Sequence, residues 1–246
     1  MPEATPSPAS SRPRTMRPQR QILADMVDAL PPGARVLNAG CGEGKTLRLV
    51  LSRRPDLQCY GVDFSDVGAL LPSGVSFTQG SVEELDTLYA ENFFDAVICQ
   101  HVIEHLIQPL ALMRGISAVL KPGGVLFVET PNWTRIFVPF STLFFWNDYT
   151  HVHVFTPFSM RRLLIEHRFA PSLVKTVSSF QWFGNRKPEA PEADRDGFPP
   201  PSAFAAAHER RSLAARVLSK LVDPLLRDTL IAVAENHKEE SVPHSR

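Results

Sequence analysis

Gly40, Gly42 and Gly44 stand at alternate positions in Arg35-Val36-Leu37-Asn38-Ala39-Gly40-Cys41-Gly42-Glu43-Gly44-Lys45-Thr46. An apolar strand leads into them, and Thr46, Leu47, Leu49, Val50 and Leu51 follow with an apolar face at helical spacing. Strand, glycine turn and helix in that order make a nucleotide-binding loop, and two chemistries fit it. In the first, Gly44-Lys45-Thr46 closes a phosphate loop whose amides, lysine and hydroxyl hold phosphates and magnesium, although the first glycine of that pattern falls on Ala39. In the second, the glycines let the backbone approach an adenosine cofactor that has no phosphates. A dinucleotide fingerprint is the weakest match, because its last glycine would fall on Lys45.

The chain beyond the loop separates these readings. Leu57 to Val62 is a second apolar strand ending in Asp63, about twenty residues past the glycines, where a carboxylate can accept hydrogen bonds from ribose hydroxyls. Val75-Ser76-Phe77-Thr78 then leads to Gly80-Ser81, and Phe94-Asp95-Ala96-Val97-Ile98-Cys99 leads to Gln100-His101. Val119-Leu120-Lys121-Pro122-Gly123-Gly124 reads as a helix end and a turn, followed by a strand over 125–128. Strands alternating with helices imply right-handed crossovers in a parallel sheet. The ligand belongs at the carboxyl ends of those strands, where the glycine loop, Asp63, Ser81 and Gln100 converge.

Taken in this order, VLNAGCGEG, YGVDFS, FDAVICQHVIEHL and LKPGGVLFVETPN resemble the class I S-adenosylmethionine-dependent methyltransferases, specifically the small-molecule, quinone-biosynthesis-like type 11 and 23 domains. The resemblance runs from Arg20 to Glu235. It implies an α/β Rossmann-like fold with a seven-stranded, mostly parallel sheet and helices on both faces. Thr229 to Ala234 would be the last strand, antiparallel beside the fifth. The implied cofactor is S-adenosyl-L-methionine, bound by Asn38, Ala39, Gly40, Cys41, Gly42, Gly44, Asp63, Phe64, Ser81, Val82 and Gln100. The implied enzyme moves a methyl group to a small-molecule acceptor. Asn38 and Ser81 depart from the pattern, standing where the family usually has acids for the cofactor's methionine amino group and adenine amine. An amide oxygen can still accept, without charge assistance. These two departures keep open a non-catalytic regulatory or partner protein of the same fold. The phosphate-loop nucleotidase is the remote alternative.

Methyl transfer from a sulfonium is an in-line displacement with a good leaving group already on the cofactor. The protein must align the acceptor, exclude water and, for a hydroxyl acceptor, remove a proton. Histidine suits the last task, and the candidates are His101 at the lip of the fourth strand, His105 in Glu104-His105-Leu106, and His151. His151 lies in an Asp-x-Thr-His segment similar to one in many relatives; His153 shares its side if the segment is extended. Their grouping makes a hydroxyl oxygen the expected acceptor. These histidines with Glu104 or Asp148 could also hold a divalent metal, but the sequence does not bring them together, so no metal is expected.

Lys plus Arg equals Asp plus Glu at 26 each, which gives no net field toward nucleic acid or an anionic membrane. Three widely spaced cysteines read as free buried thiols of a reducing compartment, and no apolar run has the length of a membrane span or signal core, so a cytoplasmic location is expected. Residues 1–18 read as a disordered tail and 236–246 as a polar one, with the methyltransferase domain over 19–235. A helix carrying Ile22, Leu23, Met26, Val27 and Leu30 is expected over the cofactor site. Phe137, Phe140, Phe144, Phe145 and Trp146 would wall an acceptor pocket or pack beneath the sheet edge. Thr156-Pro157 opens a helix with Met160, Leu163, Leu164 and Ile165 inward, and Leu173 to Phe180 is the expected sixth strand. Residues 181–227 form an insertion, a linker followed by an amphipathic helical segment. Docking of that segment on the domain or on a second subunit, as a homodimer, explains its pattern better than membrane association. The two loop chemistries predict opposite results for Lys45→Ala: a phosphate loop loses magnesium-dependent ATP binding, while an adenosine-cofactor turn keeps its ligand affinity, as equilibrium binding of each ligand will read.

Overall fold

The computed structural model describes residues 17–133, 148–177 and 229–237. Its elements are α1 (Pro18–Asp28), β1 (Arg35–Ala39), α2 (Lys45–Arg53), β2 (Gln58–Asp63), β3 (Ser76–Gln79), α3 (Leu85–Leu88), β4 (Phe94–Gln100), α4 (Pro109–Val119), β5 (Leu120–Pro131), α5 (Pro157–Glu166), β6 (Phe169–Val177) and β7 (Thr229–Asn236). Residues 1–16 of the expected tail, the 137–146 aromatic stretch, residues 178–180 of the expected sixth strand, the 181–227 insertion and the polar end beyond His237 lie outside the described residues; Pro18, expected in the tail, opens α1, and Asn236, expected in the polar end, closes β7.

Near-continuous apolar runs in β1 and β4 mark strands covered on both faces. They sit centrally in a seven-stranded sheet of order β3-β2-β1-β4-β5-β7-β6. The pairs from β3 to β5 are parallel, and β7 runs antiparallel between β5 and β6. This is the expected Rossmann-like architecture. The order reverses between β1 and β4, and a ligand crevice opens outside the carboxyl ends of strands at such a switch.

Alternation along the strands feeds two cores. Leu37, Val97, Leu126 and Val128 face one way and pack with Leu112 and Ile116 of α4 and Met160 and Leu164 of α5. Their neighbours Val36, Ile98 and Phe127 face the other way, against Leu23 and Val27 of α1 and Leu47 and Val50 of α2. Asp95 pins the amino-terminal edge, accepting from the Arg35 amide at 2.8 Å and from Lys121 Nζ at 2.6 Å.

Three expectations change. The apolar stripe of α1 is consumed by the sheet, and Ile22, Met26, Ala29 and Leu30 line a groove with Val125, Leu173 and Val233 instead of covering the ligand crevice. Ile165 of α5 is exposed, while Met160, Leu163 and Leu164 are buried. The sixth strand begins at Phe169, four residues before Leu173, because Arg168 adopts a left-handed φ of 66° that turns the helix end straight into the strand. Pro171 does not delay the strand: β6 is an edge strand, and its register shifts between Pro171 and Leu173. Among the described residues no helix is long and apolar enough to cross a membrane.

Asn236 locks β7 in place. Its Nδ2 donates to the carbonyls of Ser117, Leu120 and Lys121 at 3.1, 3.1 and 3.3 Å from a buried position. Asn236→Ala leaves those carbonyls without that donor and should cost about 1–3 kcal/mol, read as a lower urea midpoint with the same slope.

Candidate active site

The glycine turn is shaped by bonds to β2. The Gly40 and Cys41 amides donate to Val62 O at 2.9 and 3.0 Å, folding the chain over the end of that strand. Gly42 and Gly44 take φ of 46° and 77°, a region costly for any residue with a Cβ. The buried Asp63 carboxylate braces the turn: Oδ2 accepts from the Gly42 amide at 2.9 Å and Oδ1 from the Ser65 amide at 3.1 Å. Each oxygen retains a lone pair for a ribose hydroxyl. A Cβ built on Gly42 would meet nothing within 4 Å, so its backbone faces open space.

That space is a cavity of about 250 Å³ lined by Asn38, Gly40, Cys41, Gly42, Glu43, Lys45, Thr46 and Gln100. Five of the expected cofactor residues therefore meet on one wall system. Phe64, next to Asp63, is 81% exposed, an apolar ring left in solvent beside the crevice. Ser81 and Val82 are spent locally: Ser81 Oγ accepts from the Glu83 amide at 3.1 Å as the cap of a 3-10 turn, and Val82 joins the core. Ala39 is buried in the same core. Lys45 does not point into a phosphate cradle. Its Nζ lies in solvent, 3.7 Å from Glu43.

A polar chain runs from the cavity to the histidines. Thr46 Oγ1 donates to Gln100 Oε1 at 2.6 Å, and Gln100 Nε2 donates to Glu129 Oε2 at 2.6 Å. Glu129 Oε1 lies 3.6 Å from His101 Nε2, and His101 Nδ1 lies 3.3 Å from Glu104 Oε1. His101 is held there by a left-handed φ of 52° and by donation of its amide to Glu129 O at 2.9 Å. The Glu104 and Glu129 carboxylates push its imidazole up to about 10, against a smaller opposing effect of burial. A ring protonated at neutral pH cannot accept a proton, so the expected base role does not fit His101, although contact with an acceptor does.

Glu104 is fully buried, and it organises the other histidines. Its Oε2 accepts from Thr130 Oγ1 at 2.9 Å, and its carbonyl accepts from the Val152 and His153 amides at 2.9 and 3.1 Å, which draws the 148–153 segment against it. The His105 and His151 rings lie 4.6 Å apart, whereas His153 turns toward Phe155, with ring centroids 6.4 Å apart. The Thr150 hydroxyl donates to Asp148 Oδ1, so the 2.8 Å contact with His105 must have Nδ1–H as its donor, because a hydroxyl has one proton. In the neutral ring this leaves the lone pair on Nε2, which lies 4.0 Å from Glu104 Oε1. Glu104, His105 and His151 each offer a ligand atom within 4.8 Å of the others, so the cluster can hold either a proton or a divalent cation.

A family model described as a methyltransferase domain matches residues 10–170. The chain belongs to that family. Its class is that of the class I S-adenosylmethionine-dependent methyltransferases. It is 40% identical over 110 residues to a ubiquinone biosynthesis O-methyltransferase of Xanthomonas campestris pv. campestris, covering 42% of this chain and 45% of that protein. The chain thus spans about half the length of the curated relatives it matches. Among solved structures, a SAM-dependent methyltransferase from Archaeoglobus fulgidus superposes with a TM-score of 0.61 at 18% identity, covering 89% of this chain and 94% of that one. The Streptomyces coelicolor geranyl diphosphate C-methyltransferase, in complex with Mg2+, geranyl diphosphate and S-adenosyl-L-homocysteine, superposes with a TM-score of 0.58 at 15% identity, covering 88% and 79%.

The polar chain of this methyltransferase domain includes groups that its sequence did not single out. Glu129 is the clearest, and its signal was present: one acid inside the otherwise apolar strand 125–128 and its extension. Thr46 and Thr150 carried no signal, since hydroxyls are common on helix starts and in loops. The His101 pair predicts a pH signature. Its ordinary value is 6.5 and its folded value about 10, so the stability it contributes is complete below pH 6.5 and is lost as pH rises through about 10. Ring NMR should find His101 still charged at pH 8, and His101→Ala should flatten the decline in melting temperature over that window.

Proposed function

We propose that this methyltransferase domain transfers the methyl group of S-adenosylmethionine to a hydroxyl oxygen of a small molecule, with His105 as the base. The observation that supports the cofactor is the open space over Gly42, walled by Asn38, Thr46 and Gln100, in a turn braced by the Asp63 carboxylate. These groups suit an adenosine with a charged amino-acid tail, and Lys45, turned outward to Glu43, is not placed to hold phosphates. An intact turn with Asp63 in place argues against a decayed, non-catalytic site. When bound, the cofactor supplies a methyl group on a sulfonium, which leaves as a neutral thioether.

The chain's own residues do the rest. Asp63 holds the turn and receives the ribose, Gln100 and Thr46 face the methionine end, and His105 Nε2 takes the acceptor's proton. Thr150 and Asp148 fix the His105 tautomer for that step, as an orienting group does for a catalytic histidine. The proton taken up faces Glu104 Oε1, which lies 4.0 Å from Nε2. His101 contributes a fixed charge at the lip. The relatives named for ubiquinone biosynthesis support a phenolic or quinol-precursor oxygen as the acceptor. Buried free thiols at Cys41, Cys59 and Cys99 support a cytoplasmic setting; burial pushes the first two up to about 11, so none serves as a nucleophile.

A second reading is favoured by the same Glu104, His105 and His151 cluster: a divalent cation there would polarise the hydroxyl in place of the base. Calorimetry on the wild type tests the cofactor, and no S-adenosylmethionine binding at millimolar ligand would sink the enzyme reading. With a quinol-precursor phenol as acceptor, His105→Ala and Thr150→Val should lower kcat by about 10²-fold or more with cofactor affinity unchanged. Thr150→Ser should restore it. Full turnover in excess EDTA identifies the base mechanism, and loss of turnover restored by a divalent metal identifies the cation.

A further inference from the structure

The cofactor proposed above is cationic at its sulfonium and ammonium, yet the wall expected to meet that end offers neutral Asn38. Of the residues lining the cavity the one acid is Glu43, and its carboxylate is solvated and turned to Lys45. Asp63 is committed on the β2 side to the Gly42 and Ser65 amides. Among the described residues, a charge for the methionine end is offered from behind the wall.

Glu129 stands there. It is 5% exposed in β5, in register with Gln100 of β4 and Ile231 of β7. The fold gives no reason for it: Phe127, Val128 and the facing Ile231 are apolar, and a well-packed apolar side chain commonly replaces a buried ion without loss. The His101 ring beside it is shared with Glu104. The remaining strong contact goes toward the cavity. By accepting from Gln100 Nε2, Glu129 fixes that amide with Oε1 on the Thr46 side, so an acceptor and not an NH2 group is presented at the cavity wall.

We propose that Glu129 supplies the negative charge absent at Asn38, acting through Gln100 as the positioning residue for the cationic end of S-adenosylmethionine. The inference rests on the cofactor reading above. Failure of the wild type to bind S-adenosylmethionine would fault that reading, whereas the variants below test Glu129 in a protein that binds.

Glu129→Gln keeps a carbonyl for Gln100 Nε2 and removes only the charge. Calorimetry should show S-adenosylmethionine binding weakened about tenfold, the size of one charge-assisted contact, with S-adenosylhomocysteine, which keeps the ammonium, weakened to a similar degree. Asn38→Asp added to Glu129→Gln should recover most of the loss, a rescue from another strand that a packing role would not allow. Equal affinity in Glu129→Gln, or a double variant no better than the single, overturns the proposal. Should Glu129→Gln fail to fold, Asn38→Asp alone decides. With Glu129 already supplying the charge, that change leaves affinity within about twofold; tightening by about tenfold would mean the need for an acid at 38 was unmet.

Discussion

Two carboxylates buried at the carboxyl edge of the sheet, with one imidazolium between them, set the character of this site. Glu104 and Glu129 come from different elements, a 3-10 turn after β4 and strand β5, and His101 reaches both only because its backbone takes a left-handed turn directly after Gln100. Carboxylates are costly to bury, and the cost is tolerable only with partners on every side. Those partners are the site: Gln100 and Thr46 toward the glycine turn, Thr130 within the sheet, and the amides of Val152 and His153 arriving from a distant segment. Cofactor wall and acceptor wall are thereby parts of one hydrogen-bonded system.

The parallel sheet makes this arrangement possible. Its order reverses between β1 and β4, so the glycine turn and the Gln100-His101 lip end up side by side with an opening between them. Asp63 shows the same economy. The residue expected to hold a ribose is also the brace that keeps the Gly42 amide in place. Histidine roles sort by environment. Two facing carboxylates keep His101 charged, while a threonine–aspartate pair gives His105 a defined tautomer and an available nitrogen.

The fold was largely legible because its signals are local and repetitive. Apolar runs bounded by glycines mark parallel strands buried on both faces, and the Gly40-Cys41-Gly42-Glu43-Gly44 turn needs residues that reach left-handed φ. Of the candidate site, the sequence placed Asn38, the glycines and Gln100, which line one cavity because they lie at the ends of β1 and β4 or in the turn between. It did not show that Ser81 caps a turn and Val82 packs in the core, nor that α1, whose stripe fits a core and a ligand cover equally well, packs on the sheet. The early start of β6 was hidden because Pro171 looks like a breaker but is tolerated on an edge strand.

By itself, then, the sequence determined the strand and helix order, the parallel sheet, the glycine turn and the carboxylate that follows β2, since all of these depend on neighbours within a few residues. Only the tertiary structure decided that His101 lies between Glu104 and Glu129, that Glu129 bonds Gln100 behind Asn38's wall, and that His105 and His151 meet while His153 turns away. Those outcomes depend on electrostatic and hydrogen-bonding contacts between Gln100 and Glu129, between His101 and two carboxylates, and between Glu104 and residues near 150. The chain separation of such pairs carries no trace in spacing or periodicity.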